Sequence, residues 1–479
     1  MVELTIFALG ILLIDVMSPQ AWKWLNAVGA LAGIAFAALC VWQIQAMLPM
    51  GATGFSNTLR VDRFAIYFWY LFLAGAAIAI IGSVRYLDLE DEQHGEYYAL
   101  LLLSVVGMMC MAAGFDIVLI FIGLELMAIS TYILVGFLRR DRRSNEAALK
   151  YMLLGAFSSG IFAYGLSLFY GLSGSTNLAG IYRAVSGQNP RNPVIVIALL
   201  TTMTGLLFKI AAIPFHQWVP DAYEGAPTSI TGFMSVAVKA AAWAMLLRIL
   251  VFGLLPLRSI YTPVIVFVSI ATMTGANFAA LTQMNTKRLL AYSSIAHAGY
   301  MLLALVAMGT SPIPSPAFFD GFKGILIYLL VYTFMNLGAF AVITSLRQRN
   351  VIGDEIDDLA GLYRRAPVEA ALMLLFLISL AGIPPAAGFL GKYYIFLSLI
   401  ESGHYGLAAL GVIYSVFGLY YYMKIASAML MRAPAEAGRL PVSLGMRLAV
   451  GLTALATIVI GIYPEPFIRT VNWSLNIAR

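Results

Sequence analysis

Charge is scarce in this chain. Only 11% of its 479 residues are Asp, Glu, Lys or Arg and 61% are hydrophobic, whereas a soluble domain carries roughly a quarter charged residues. A water-soluble fold of that composition has too little polar surface to cover itself. Cysteine is scarcer still. Cys40 and Cys110 stand far apart, each inside an apolar run, which excludes a CxxC redox pair and a four-cysteine iron–sulfur site. Also missing are a nucleotide-binding βαβ fingerprint, a flavin site, a haem-ligating pair and a cluster of metal ligands, so no cofactor or metal is expected in this chain. Gly388-Phe-Leu-Gly-Lys392 fails as a phosphate loop, because Ala386 stands where the first glycine is needed and Tyr393 follows the lysine. The net charge of +6 is spread over short loops and forms no continuous basic stripe, which argues against a nucleic-acid partner.

Long apolar runs are what the sequence has in abundance. A run of about 18 to 28 residues is what a helix needs to cross a hydrocarbon core of about 30 Å. About fourteen such runs are read, at 2–18, 24–48, 62–84, 97–114, 115–138, 146–172, 193–216, 228–250, 260–282, 288–309, 321–346, 368–400, 405–431 and 444–463. Barrel strands would instead alternate over about ten residues, and a membrane admits only helices or closed barrels. The expected fold class is an all-α integral membrane protein, with lipid as its surroundings. The first run lacks a basic n-region and a small-residue cleavage site, and is read as a retained span rather than a signal peptide.

Basic residues concentrate in loops after odd-numbered spans, among them Lys23, Arg85, Arg139, Arg140, Arg142, Arg143, Lys287, Arg288, Arg347, Arg349, Arg364, Arg365 and Arg439. Fewer lie on the other side, such as Arg60, Arg183, Arg191, Arg248, Arg258 and Arg479. The positive-inside rule then places the odd loops at the cytoplasm or its equivalent and both termini opposite. The segment Arg347–Pro367 carries Asp354, Glu355, Asp357 and Asp358; it is read as a solvated connection, with partner docking as the alternative.

Two spans are interrupted in the same way, by Lys209-Ile-Ala-Ala-Ile-Pro214 in the seventh and by Ala381-Gly-Ile-Pro-Pro385 with Lys392 beyond it in the twelfth. Proline removes a backbone hydrogen bond and clashes with the preceding turn, so each site should break its helix. Paired interruptions five spans apart point to inverted repeats. The chain is accordingly divided into spans one to three (1–96), a first five-helix repeat (97–250), a second (260–431) and a C-terminal span (432–479).

Ionisable groups inside spans cost about 2.5 to 3.5 kcal/mol on insertion scales and are therefore paired, cavity-facing or functional. Lys209, Lys239, Lys392 and Lys424 are the interior bases and Glu125 the clearest interior acid. Burial makes a lysine easy to deprotonate, so movement of a neighbouring carboxylate can release or restore its proton. Glu125 is a candidate for that neighbour. Lys424, near a span end, either snorkels or takes part. His216 and His297 are either hydrogen-bond partners between helices or relay members, with His297 the better placed at mid-span. Lys150 is either an inside-positive anchor or a further member of the proton-translocating set.

The stretch Pro214-Phe-His-Gln-Trp-Val-Pro-Asp-Ala-Tyr-Glu-Gly-Ala-Pro-Thr228, followed by Lys239, resembles the signature of the antiporter-like proton-pumping subunits of NADH:quinone oxidoreductase, respiratory complex I. Lys287-Arg-Leu-Leu-Ala-Tyr-Ser-Ser-Ile-Ala-His297, Met335-Asn-Leu-Gly-Ala-Phe340 and Leu380-Ala-Gly-Ile-Pro-Pro-Ala-Ala-Gly-Phe389 resemble it too. The likeness spans about residues 60 to 430. Lys392, where M-type members have a glutamate, and the lack of a long C-terminal lateral helix make the chain similar to the N-type branch. The resemblance implies Glu125 and Lys209 as a coupled pair, Lys239 as the central lysine and Lys392 as the second-half lysine. It implies proton translocation with NADH, FMN, iron–sulfur clusters and quinone held in partner subunits, an M-type neighbour and small K/J-type subunits as partners, and a bacterial inner membrane as location. A subunit of a multi-subunit Na⁺/H⁺ antiporter, which shares the broken helices and membrane lysines, is the alternative.

Overall fold

The computed structural model describes residues 1–47, 51–347, 353–434 and 442–475; Arg349, Arg439 and Arg479 of the loop-charge argument lie outside them. Helices dominate because apolar runs in hydrocarbon must satisfy their own backbone hydrogen bonds. The chain opens with α1 (Val2–Met17) and α2 (Leu25–Met47), a short antiparallel hairpin of β1 (Ala52–Gly54) and β2 (Leu59–Val61), and α3 (Arg63–Leu89). Then come α4 (Gly95–Ala113), α5 (Ile117–Val135), α6 (Arg142–Ser173), α7 (Leu178–Ser186), α8 (Pro193–Lys209) and α9 (Trp218–Gly225). Next, α10 (Thr228–Phe233) passes through a π-helical segment, Met234–Val238, into α11 (Lys239–Leu247) and a second π-helical segment, Arg248–Gly253. The remainder is α12 (Arg258–Thr282), α13 (Thr286–Thr310), α14 (Pro316–Ser345), α15 (Leu362–Arg365), α16 (Pro367–Ala381), α17 (Ala387–Glu401), α18 (Tyr405–Met431), α19 (Leu444–Ile462) and α20 (Glu465–Leu475).

Eleven helical spans among the described residues are long and apolar enough to cross a membrane. The two broken spans and α1 make up the rest of the expected fourteen. Short polar side chains set the starts: Asp62, Asp116, Asp141, Asn177, Asn192, Asn285 and Ser315 each accept a backbone N–H of the first turn, and Pro193 and Pro316 occupy first-turn positions that need no donor.

The structure departs from the sequence reading in four places. The β1–β2 hairpin is an exception to an all-helical chain; three-residue strands are too short to show alternation. Helices α7 and α20 are brief amphipathic elements in segments where the sequence reading named no element. The seventh span continues beyond its break as α9, a segment whose Pro220, Asp221 and Glu224 hide its helical character. The acidic segment after α14 folds back on the protein: Asp354 pairs with Lys287 at 3.6 Å, Asn285 donates to Glu355 at 3.2 Å, and Arg432 bonds Asp357.

The two five-span sets pack in a corresponding order. In the first, α4 lies against α5, and α6 touches both halves of the broken span, α8 and α9. In the second, α12 lies against α13, and α14 touches both α16 and α17. Close approach between α4 and α5 rests on Gly107 and Gly123, where an added Cβ would come within 2.6 Å and 2.7 Å of the facing helix. Small residues let helices meet in a solvent that supplies no hydrophobic drive between them. The sets meet where α9 packs on α13 and α10 on α14, and α13, α14 and the Thr228–Gly253 span are the most enclosed of the long helices among the described residues.

Candidate functional site

Three lysines sit deep in this bundle. Lys209, Lys239 and Lys392 are 5%, 3% and 6% exposed, and none has a carboxylate within 4 Å among the described residues. A buried ammonium that lacks a counter-ion carries a desolvation cost that an ordinary core position would not tolerate.

The breaks place two of them. Helix α8 ends on Lys209; Ala211 then turns with φ +63°, and α9 begins only at Trp218. Helix α16 ends at Ala381, Gly382 turns with φ +84°, and α17 resumes at Ala387. Backbone groups freed by the breaks find protein partners. Trp218 Nε1 donates to the Phe208 carbonyl at 3.2 Å, Ile213 N to Thr272 Oγ1 at 3.0 Å, and Gly388 N to Ser379 Oγ at 3.0 Å. Lys392 Nζ itself donates to the Ala381 carbonyl at 2.8 Å. The proline tips, Pro214, Pro384 and Pro385, are exposed on the surface of this chain, while the polar backbone atoms turn inward.

Lys239 follows the first π-helical segment, whose Ser235 accepts from Asn336 Nδ2 of α14 at 2.7 Å. Its Nζ donates to the Ser294 carbonyl at 2.7 Å and to the Ser294 hydroxyl. Three residues beyond Ser294 on α13, His297 is buried. Its Nε2 is 2.9 Å from the Tyr422 hydroxyl and its Nδ1 bonds the Tyr328 hydroxyl. The Lys392 amine lies 5.0 Å from the centre of the Tyr300 ring. So the structure gathers Lys239, His297 and Lys392 around one face of α13.

Glu125 and Lys209 form a second group. The carboxylate is near enough to act on the amine electrostatically, yet no direct ion pair joins them, and Glu125 Oε1 is buried without a hydrogen-bond partner. Lys209 Nζ is instead 3.4 Å from the Tyr132 hydroxyl and 5.7 Å from the centre of that ring. Tyr132 meets Tyr151 edge-on, and Tyr151 stacks on Trp218 at 4.4 Å.

The other candidates lie apart. Lys150 pairs with Glu146 at 2.8 Å and Asp221 at 2.9 Å, and Arg288 reaches Asp221 at 2.7 Å and Glu224 at 2.8 Å; these groups line a cavity of about 230 Å³. His216 sits at the first break with Nδ1 unpartnered. Lys424 donates to the Gln283 carbonyl at 2.8 Å near the end of its helix. In the connection after α14, burial pushes the Asp354 carboxyl above its usual range while the Lys287 ammonium pulls it down.

Sequence reasoning missed Arg248, assigned above to a loop. It is fully buried, bonded at both terminal nitrogens to Asp62 at 2.6 and 2.7 Å, donates from Nε to the Ala112 carbonyl at 2.8 Å, and lies over Phe64 at 4.5 Å. The signal was its apolar setting, Met245-Leu-Leu-Arg-Ile-Leu-Val251. Tyr132, Tyr328 and Tyr422 were also missed, since a tyrosine in an apolar span reads as packing.

Residues 114–418 match the family described as NADH:quinone oxidoreductase/Mrp antiporter, TM. NADH-quinone oxidoreductase subunit N 1 of Koribacter versatilis is 61% identical over 488 aligned positions, covering 100% of this chain and 94% of the relative. The chain belongs to the NADH-quinone oxidoreductase subunit N family. Among solved structures, a chain of the respiratory complex I of Thermus thermophilus with bound aureothin superposes with a TM-score of 0.82 at 32% identity, covering 98% of both chains. A chain of the Mrp complex from Dietzia shares the fold, with a TM-score of 0.84 at 19% identity over 98% of this chain and 96% of the other.

Proposed function

We propose that this chain is a proton-translocating membrane-arm subunit of an NADH:quinone oxidoreductase, with Glu125, Lys209, Lys239 and Lys392 as the titrating relay and His297 between the last two. NADH, FMN, iron–sulfur clusters and quinone would be bound by partner subunits, among them an M-type neighbour and small K/J-type subunits, in a bacterial inner membrane with the Lys150–Arg288 face toward the cytoplasm. Residues 97–250 and 260–431 would act as two half-channels. Lys150, His216 and Lys424 stand at the edges of the relay, at its mouth and at the first break.

One observation carries this reading. Three buried amines are held by neutral oxygens rather than by carboxylates, so each can lose its proton without leaving a buried anion unpaired. A redox centre elsewhere needs such groups to convert a conformational or electrostatic push into proton movement.

The test is Lys239→Met against Lys239→Arg in the assembled complex, read as NADH-driven acidification of inverted vesicles. A relay loses function in both, with Arg the milder; an electrostatic anchor survives Arg; a packing residue survives Met. Normal pumping by Lys239→Met overturns the assignment. An antiporter subunit of the Mrp kind would instead give Na⁺-dependent proton movement without NADH oxidation.

A further inference from the structure

Both ring nitrogens of His297 are taken by tyrosine hydroxyls. Tyr422 reaches Nε2 from α18 at 2.9 Å and bonds Ser293 Oγ as well, while Tyr328 reaches Nδ1 from α14. Ser293, His297 and Tyr300 fall at i, i+4 and i+7 of α13 and so share one stripe, with Ser294 three residues before His297. That stripe starts beside the Lys239 amine, held at Ser294, and ends beside Lys392, held over Tyr300. Tyr328 also packs directly on Gly391, the residue before Lys392, where an added Cβ would lie 2.7 Å from its ring.

We propose that Ser293, Tyr422, His297 and Tyr328 form a continuous hydrogen-bonded string that passes protons between Lys239 and Lys392, with the two tyrosine hydroxyls as obligatory members; this rests on the relay reading above. A hydroxyl both donates and accepts, and a neutral imidazole has one nitrogen of each kind. A proton given by the Lys239 ammonium enters at the Ser293 end. Ser293 hands its hydrogen to Tyr422, Tyr422 hands its own to Nε2, Nδ1 releases its hydrogen to Tyr328, and the Tyr328 hydroxyl hydrogen leaves toward the neutral Lys392 amine, with water completing the two ends. Every O–H and N–H bond broken is matched by one formed, and the string ends with the same charge but with each hydrogen bond reversed and the imidazole in its other tautomer. Reversal of the string then permits the next transfer.

The experiment compares Tyr422→Phe and Tyr328→Phe with Tyr67→Phe, all in the assembled complex. Tyr67 is the control, because its hydroxyl is buried like theirs and makes its hydrogen bond, to the Leu326 carbonyl at 2.8 Å, outside the string. Phenylalanine keeps the ring and its packing. We expect pumping to fall at least about fivefold in Tyr422→Phe and Tyr328→Phe, with an altered solvent deuterium isotope effect on the remaining rate, and to stay within about twofold of wild type in Tyr67→Phe. A hydroxyl that only positions His297 would lower the rate without changing the isotope effect, and that result overturns the proposal. Wild-type pumping in both string variants overturns it too. Lys239→Met run alongside separates the two readings: if it stops pumping while the phenylalanine variants pump normally, the string is wrong and the lysine relay stands.

Discussion

Two buried cationic regions of this molecule are built on opposite rules. Arg248 has everything a buried charge requires: a bidentate carboxylate in Asp62, a carbonyl at Nε and an aromatic ring against its plane. Lys239 and Lys392 have neutral oxygens at 2.7 and 2.8 Å and no carboxylate within 4 Å among the described residues. The arginine cannot lose its proton, and its pairing fixes the start of α3 against α4 and the end of α11. The lysines are held at positions where the charged form is only weakly supported. A fully satisfied charge makes a latch, and an ammonium without a carboxylate is the kind of group the proposed relay uses.

That contrast sets the largest expected effect. Breaking a buried ion pair by removing one partner costs about 3 to 5 kcal/mol, because the remaining charge is stranded. Arg248→Met should therefore deplete the folded subunit from membranes, seen as loss of the chain from the purified complex and as a lower melting temperature. Lys239→Met should do the reverse: an assembled complex of unchanged or higher melting temperature that does not pump, since a buried unpaired ammonium has been replaced by an apolar chain of similar length. If both variants melt alike, the distinction between latch and relay fails.

The first-half site lies between these extremes. Glu125 makes no direct ion pair with Lys209, and Tyr132 stands at the amine. Glu125→Gln removes the charge but keeps the shape. Pumping is expected to drop several-fold while subunit content stays normal, since no direct ion pair is lost. Loss of the subunit from the complex would instead mean that the carboxylate is a structural partner.

Much of this was legible in the sequence because hydrocarbon simplifies the rules. A run of apolar residues must be a helix, a lysine inside it is conspicuous, and Pro214 and Pro384 can only interrupt. Hence the spans, both breaks and the interior position of Glu125, Lys209, Lys239, Lys392 and Lys424 could be read from residue types alone, while narrowing them to four came from the family resemblance. Arg248 escaped because it lies close to a span end, where an arginine normally snorkels, and only Asp62, 186 residues away, reveals that it does not. Tyr328 and Tyr422 escaped for a different reason. Their hydroxyls matter through His297, and a contact between α13, α14 and α18 leaves no periodicity in any one of them. The helix α9 was hidden by polar residues that pair with Lys150 and Arg288 rather than with water alone.

The two breaks themselves give the smallest and most local test of how far the two halves differ. Both turn through a left-handed residue just past the helix, Ala211 at φ +63° one residue beyond the Ile210 cap and Gly382 at φ +84° as the cap itself, and an L residue there costs roughly 1 kcal/mol or more where glycine costs nothing. At Gly382 an added Cβ would lie 2.8 Å from Lys392 Cδ and 3.2 Å from its Nζ. Gly382→Ala should then both strain the turn and push the Lys392 amine off the Ala381 carbonyl, lowering pumping a few-fold together with the melting temperature. At Ala211 the left-handed turn already carries a methyl that is fully buried. Ala211→Gly relieves about 1 kcal/mol of backbone strain but gives up a buried methyl worth about 0.8 kcal/mol and adds chain entropy to the unfolded state. These terms nearly cancel, so the melting temperature should move by no more than a degree or two and pumping should be unchanged. A clear pumping defect in Ala211→Gly would show that the Lys209 break, like the Lys392 break, depends on its turn residue to aim the amine, and that the two half-sites are alike in this respect.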